Sequence, residues 1–291
     1  RLIWNQSYEM TAPELSVCEQ YLAVYDRGGT FIYIMSERGL VKKIETATPI
    51  ERVCVARQGT VAVLMKEDDV SYVRLYDKKG QELASGEFYQ EKGSFPVDIA
   101  LAPDAQKLAV DMLDVTKGKT CSTVTFYNFG SVGQNEIDNN TMISELVYTE
   151  SGKLLAISDA GLIWFDGVQK PAPKKQIKFK REIQSVFYNN KYVGISYSDT
   201  KKENSWHIKV YDMNGKTVME NDTEIAYNRI ELLDNNEICV RDDYNCELFT
   251  IHSIRKFRYT FDRQLYNVLS GSDGQNYTLV LNGEIEEVRL Q

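Results

Sequence analysis

Histidine is nearly missing from this chain: there are two in 291 residues, His207 and His252. Neutral imidazole is the commonest metal ligand and the usual base near neutrality. A histidine-built metal centre or acid–base cluster therefore has little to draw on, and no metal, no cofactor and no catalytic residue are expected. Cysteine is scarce and unpatterned. Cys18, Cys54, Cys121, Cys239 and Cys246 form an odd set with neither the CxxC nor the metal-ligand spacings. Cys18 and Cys54 fall at matching places in SVCE and RVCV, which predicts small buried residues rather than a disulfide. Six prolines and no long Gly/Ser tract leave no linker, so residues 1–291 are expected to form a single domain. No stretch reaches the roughly 18–20 apolar residues of a membrane span. Because the chain opens on Arg1 rather than Met, a signal sequence or anchor is expected upstream. An excess of positive charge is also missing: 34 Lys and Arg against 42 Asp and Glu give −8. That argues against nucleic acid, whose affinity comes mainly from neutralised phosphates.

Aromatic residues, by contrast, are plentiful, with 18 Tyr and 11 Phe, types that suit a pleated, half-buried surface. One phrase recurs: a β-branched or aromatic run, an acidic or polar residue, then a glycine turn. It reads FIYIMSERG from Phe31, YVRLYDKKG from Tyr72, VTFYNFG from Val124, LIWFDG from Leu162 and IKVYDMNG from Ile208. A second apolar strand precedes each copy: LAVYD, VAVLM, KLAVDM, KLLAIS and YVGISY. Units beginning near Glu14, Glu51, Val97, Ile143, Ile183, Asn228 and Leu265 are spaced 37 to 46 residues apart, close to the roughly 40–45 of a propeller blade. The seventh runs out after three strands, and the opening LIWNQSYEM is a spare strand. The predicted fold is all-β, a seven-bladed β-propeller whose N-terminal strand closes the last blade and removes open sheet edges. LVKKIET from Leu40, KKQIKFKR from Lys174 and IRKFRYT from Ile254 read as outer edge strands defended by basic side chains.

LAPDAQKLAVDM at Leu101–Met112, with YTESGKLLAIS at Tyr148–Ser158 as a looser copy, resembles the Pro-Asp repeat of TolB-like propellers. The Tyr-Asp phrase with its glycine turn is similar to WD-repeat and quinoprotein-like blades, without their Gly-His dipeptide, Trp-Asp endings or tryptophan docking motif. Taken whole, the chain resembles a divergent bacterial propeller family of unknown function on membrane-anchored proteins of Gram-positive bacteria. The resemblance implies an anchored extracytoplasmic domain and brings no catalytic residues with it.

Chemistry is sparse. Both histidines are expected in third strands, away from a central channel, in structural roles. There is no Gly-x-Ser-x-Gly elbow. SGSDGQNY from Ser270 resembles a sialidase Asp box in part, but a tight Asp-Gly turn explains it more simply. Glu67-Asp68-Asp69 and Asp242-Asp243 lack the alternating carboxylates of a calcium loop and read as solvated turns. The loops that would open on one end of the channel are Phe88–Asp98, Leu113–Cys121, Ser198–Trp206 and Asp222–Arg229. Arg52, Phe95, Asp98, Arg229 and Tyr266, near the starts of first strands, are the candidate binding residues, since aromatics beside arginines are enriched in binding hot spots. The function expected is a non-catalytic ligand- or protein-binding scaffold. It would be a monomer presented outside the membrane, holding a protein or a cell-surface polymer on its loop-rich face. The alternative is a hydrolase or lyase acting on a carbohydrate or cell-wall polymer at the channel mouth.

Overall fold

The computed structural model describes residues 4–290 apart from 91–92, 117–119, 129–130, 137–140, 168–170, 200–201 and 272. Parts of three of the expected binding loops and residues 2–3 of the spare strand thus lie outside the described residues. The chain divides into two compact units, Arg1–Lys178 and Phe179–Gln291.

The first unit contains four antiparallel sheets, each a meander in chain order. They are β1 to β4 (Pro13–Cys18, Tyr21–Asp26, Phe31–Ser36, Gly39–Glu45) and β5 to β8 (Ile50–Val55, Val61–Glu67, Val70–Tyr76, Glu82–Tyr89). Next come β9 to β12 (Ser94–Leu101, Lys107–Asp114, Cys121–Asn128, Ser131–Glu136) and β13 to β16 (Ile143–Tyr148, Leu154–Ser158, Gly161–Asp166, Ala172–Lys178). The second unit holds three sheets. The first two are β17 to β20 (Ser185–Tyr188, Tyr192–Ser198, Trp206–Asp212, Thr217–Thr223) and β21 to β24 (Arg229–Leu232, Ile238–Arg241, Asn245–Phe249, Arg255–Thr260). The last is β25 to β27 (Leu265–Ser270, Asn276–Leu281, Glu284–Arg289). Each sheet is one blade.

Blades stack because they are apolar on both faces, as period-2 side-chain alternation in a strand buried on both sides requires. In the first unit Ile32 and Ile34 of blade one meet Val53 and Val63 of blade two. Leu64 and Val73 meet Ile99 and Val110 of blade three. Ala109 and Phe126 then meet Leu154 and Phe165 of blade four. In the second unit Ile208 and Met219 pack on Ile238 and Phe249, and Leu248 on Leu265 and Leu279. Each such side chain contributes about 1.5–3 kcal/mol by leaving water.

The repeated glycine phrase has a local cause. Asp77 Oδ1 accepts from the Lys79 and Gln81 N–H groups at 2.9 and 2.8 Å. Asp212 Oδ1 does the same for Asn214 and Lys216, both at 2.9 Å. The residue three places on, Gly80 or Gly215, takes a φ of +83° or +74°, which glycine reaches without a Cβ penalty. Blade six keeps the turn with altered chemistry: Thr250 Oγ1 accepts from His252 and Ile254, and Ser253 sits at φ +65°. His252 therefore lies in the β23–β24 turn, not in the third strand as the sequence suggested, because Thr250 ends that strand. Ser253→Gly is expected to stabilise the protein by about 1 kcal/mol by removing the left-handed strain. Denaturant melts check this, an unchanged midpoint being the contrary result.

Residues 4–12, in the stretch expected to close the last blade, carry no strand. The Trp4 indole N–H donates to the Glu37 carbonyl at 2.9 Å, its ring covers Gly39, and Tyr8 packs on Tyr33. These contacts all fall on blade one. The seventh sheet has three described strands.

Candidate functional site

The turn joining the first and second strands gives every blade after the first a common origin. Ala56, Ala102, Thr149, Asn189, Leu233 and Gly271 each donate the backbone N–H that closes this turn. Four residues before each of them stand Arg52, Asp98, Glu145, Ser185, Arg229 and Asn267. In blade one Glu14 is their counterpart, since it pairs with Tyr25 as Arg52 pairs with Leu64. All seven positions are polar, on strands whose next residue is mostly apolar. In blades two, three, four and seven a register shift falls just before the polar residue, at Glu51, Val97, Ser144 and Tyr266. Such bulges bend a strand and re-aim its side chains.

In the first unit these residues meet. Arg52 Nη2 donates to Glu145 Oε1 at 3.0 Å and its Nε lies 3.5 Å from Asp98 Oδ1, so one guanidinium links the first strands of three blades. Burial opposes the Arg52 charge, but Asp98, Cys54 and Glu145 outweigh it and raise its pKa. Asp98 Oδ2 accepts from the Leu146 N–H at 2.8 Å. Burial pushes the Asp98 carboxyl up to about 6 despite Arg52. Directly opposite on β10 is Asp111, fully buried. Its Oδ2 accepts from the Ser122 hydroxyl at 3.2 Å, and Ser122 Oγ accepts in turn from the Ile143 N–H at 3.0 Å. Asp111 Oδ1 has no partner. Burial, reinforced by nearby Asp98, pushes the Asp111 carboxyl up to about 7. Two carboxylates of blade three thus pin the first strand of blade four. Blade one adds Glu14, which accepts from the Tyr25 hydroxyl and lies 3.7 Å from Arg27. Arg27 is also 3.8 Å from Glu51.

In the second unit Arg229 is exposed and binds Glu231 at 3.1 Å. Glu231 also takes Arg241 at 3.3 Å, and Arg241 reaches Asn267 at 3.5 Å. A polar cleft of about 650 Å³ lies between β17 and β21, bordered by Gln184, Ser185, Asn228, Arg229 and Glu231.

Of the candidates named from sequence, Arg52 and Asp98 are brought into contact. Phe95 is half-buried near the start of Asp98's strand, with the Lys66 ammonium 5.6 Å over its ring. Tyr266 is the exposed bulge residue beside Asn267. Glu14, Glu145, Ser185 and Asn267 were missed. Counting four residues back from the last residue before each turn would have found all of them, Glu14 included, since Cys18 pairs with Tyr21 across the turn of blade one.

His207 Nδ1 is 2.6 Å from Asp222 Oδ1 and its Nε2 is 3.9 Å from Glu220. Both imidazole nitrogens therefore face carboxylates on the outer strand β20. Cys54 pairs with Ala62 as Ser16 pairs with Ala23, so Ser16 and not Cys18 is its counterpart. Cys18 and Cys54 are half-buried, and burial pushes the Cys54 thiol up to about 12. Among the described residues no three His, Cys, Asp or Glu side chains are grouped to hold a metal ion.

Seven antiparallel meanders, apolar on both faces and polar at one fixed place on each first strand, define a seven-bladed β-propeller. Solved structures agree in fold. A eukaryotic initiation factor aligns over 96% of this chain and 85% of its own at 13% identity, with a TM-score of 0.54. BamB from Moraxella catarrhalis aligns over 96% and 84% at 13% identity (TM-score 0.52). The Pan2 WD40 domain of Neurospora crassa aligns over 95% and 87% at 11% identity (TM-score 0.52). A comparison with curated proteins found no match. The chain belongs to a family of unknown function, DUF5711, whose profile spans residues 1–290.

Proposed function

We propose that this propeller is a non-catalytic binding scaffold that holds a protein or a cell-surface polymer on its loop-rich face. The observation that carries this reading is how the first-strand charges are spent. Arg52, Asp98 and Glu145 are tied to one another across three blades, which favours a rigid platform over a free nucleophile or base. Arg229 and Tyr266, both exposed, supply contact groups of the types enriched in hot spots. The resemblance to anchored bacterial propellers supports an extracytoplasmic, membrane-anchored monomer. Among the described residues no helix is long and apolar enough to cross a membrane.

A photo-crosslinking amino acid at position 266 is expected to capture a partner in intact cells, and Arg229→Glu to suppress that adduct. The same probe at Val41, an exposed position on the outer strand β4, is expected to give none. Adducts arising equally from both positions would defeat the reading. Added protease should cleave the protein in intact cells; protection would defeat the extracytoplasmic assignment.

A polymer-acting hydrolase or lyase is the second reading, favoured by one observation. Asp98, held near pH 6, could serve as an acid alongside Glu145, and perturbed carboxyls mark catalytic sites. Release of reducing ends from cell-wall glycan by the purified protein, abolished in Glu145→Gln, would establish it in place of the scaffold.

A further inference from the structure

Blade two differs from its neighbours at its outer strand. A register shift near the start of five fourth strands aligns them: Leu75 pairs with Ala84 where Ile34 pairs with Lys42, Trp164 with Lys175, Val210 with Met219 and Leu248 with Phe257. Two residues on, Gly86 stands where the others carry Ile44, Ile177, Asn221 and Tyr259. In blades one, five and six one of these two positions turns into the groove toward the next blade: Ile44 and Met219 are core residues, and Phe257 packs against the core. Blade two offers a methyl group and a hydrogen instead. The result is a cavity of about 250 Å³ between blades two and three, walled by Val73, Leu75, Leu101, Leu108 and Tyr127.

Above this cavity runs β8, whose outer edge pairs with no described strand. An unpaired edge presents N–H and C=O groups that accept an added strand unless Lys, Arg or Pro blocks it. β4 carries Lys42 and Lys43, β16 carries Lys174 and Lys175, and β24 carries Arg255 and Arg258, whereas β8, like β12 and β20, has none of these residue types. The only charged side chains on β8 are Glu82 and Glu87, both exposed; Arg74 lies 3.6 Å from Glu82 and the Tyr89 hydroxyl donates to Glu87 at 2.7 Å, which leaves oxygens of both carboxylates open to solvent.

We infer that the inter-blade cavity and the free edge of β8 together form a docking site for an extended, basic segment of a partner protein. The segment adds as a fifth strand, inserts one large apolar side chain over Ala84 and Gly86, and sets flanking Lys or Arg against Glu82 and Glu87. In strand addition the backbone supplies affinity and the side-chain pocket supplies specificity. Strands lie about 4.8 Å apart, which brings a side chain of the added strand to the cavity mouth. The site lies on the outer strands and does not depend on the role proposed for the first-strand positions.

The test uses the full chain and an end-blocked octapeptide alternating lysine and valine, with one central phenylalanine, followed by fluorescence anisotropy. Saturable binding is expected. It should weaken at least tenfold when the peptide's phenylalanine becomes alanine, and equally when Gly86→Val fills the cavity. That variant should fold, because a Cβ at Gly86 would meet only the Phe88 ring, at 3.5 Å; circular dichroism verifies it. Glu82→Lys with Glu87→Lys gives an independent arm that leaves the cavity intact and should also weaken binding. Absence of saturable binding, binding indifferent to all three changes, or occupation by decanoate with none by the peptide would overturn the proposal.

Discussion

Asp111→Asn is expected to flatten the protein's dependence of stability on pH between about 4 and 7. The folded carboxyl titrates near 7, against about 3.8 in the unfolded chain, so between these values the native state holds a proton that the unfolded state has released. Stability must then fall as pH rises through this window. The full difference corresponds to ~4 kcal/mol against the ionised form. Cause and geometry agree: the side chain is buried, Ser122 bonds one oxygen, and the other oxygen has no partner. The amide keeps the shape and the Ser122 contact without an ionisable proton. It leaves an unpaired NH2 group, which costs about 1–3 kcal/mol at every pH. Relative to the wild type, the variant should therefore gain steadily from pH 4 to about pH 7 and level off above it. Urea melts across that range decide the matter. If the two proteins keep parallel pH profiles, Asp111 does not titrate in the fold. Asp98, also raised, contributes a smaller slope of the same sign in both proteins.

Arg52→Ala is expected to cost about 2–4 kcal/mol, the range for removing one partner of a buried pair, reduced for partial solvent access. Arg52 is the only cation within ion-pair reach of Asp98 among the described residues, and Asp98 is 8% exposed. Without the guanidinium, Asp98 should take up a proton more readily, so the loss should be greater at pH 8 than at pH 5. Combining Arg52→Met with Asp98→Asn should recover most of the stability, because the stranded charge is removed with its partner. A double variant as unstable as the sum of the singles would show that the two residues act independently. Calorimetry at the two pH values measures both effects.

The strands were legible in sequence because their cause is local. Alternating apolar residues and the Asp-x-x-Gly turn act within a few positions, and the units begin where the spacing placed them. The worn sixth blade shows the same turn in different chemistry, with Thr250 for aspartate and Ser253 for glycine. Reading that substitution would have kept His252 out of a strand. The site was only half legible. Arg52, Asp98 and Arg229 stand out as charges near strand starts, but nothing local distinguishes Glu145 from any other exposed-looking glutamate. Its role comes from the 93 residues separating it from Arg52, a separation that only folding removes.

By itself, then, the sequence determined the number and order of blades, since pleat period and turn chemistry are short-range. Tertiary structure alone decided which charges meet, that Asp111 is sealed from water with an oxygen left unpaired, and that Ala84 and Gly86 open a cavity. Each of these depends on what a neighbouring strand or blade places opposite, and burial and pairing are set by such long-range neighbours.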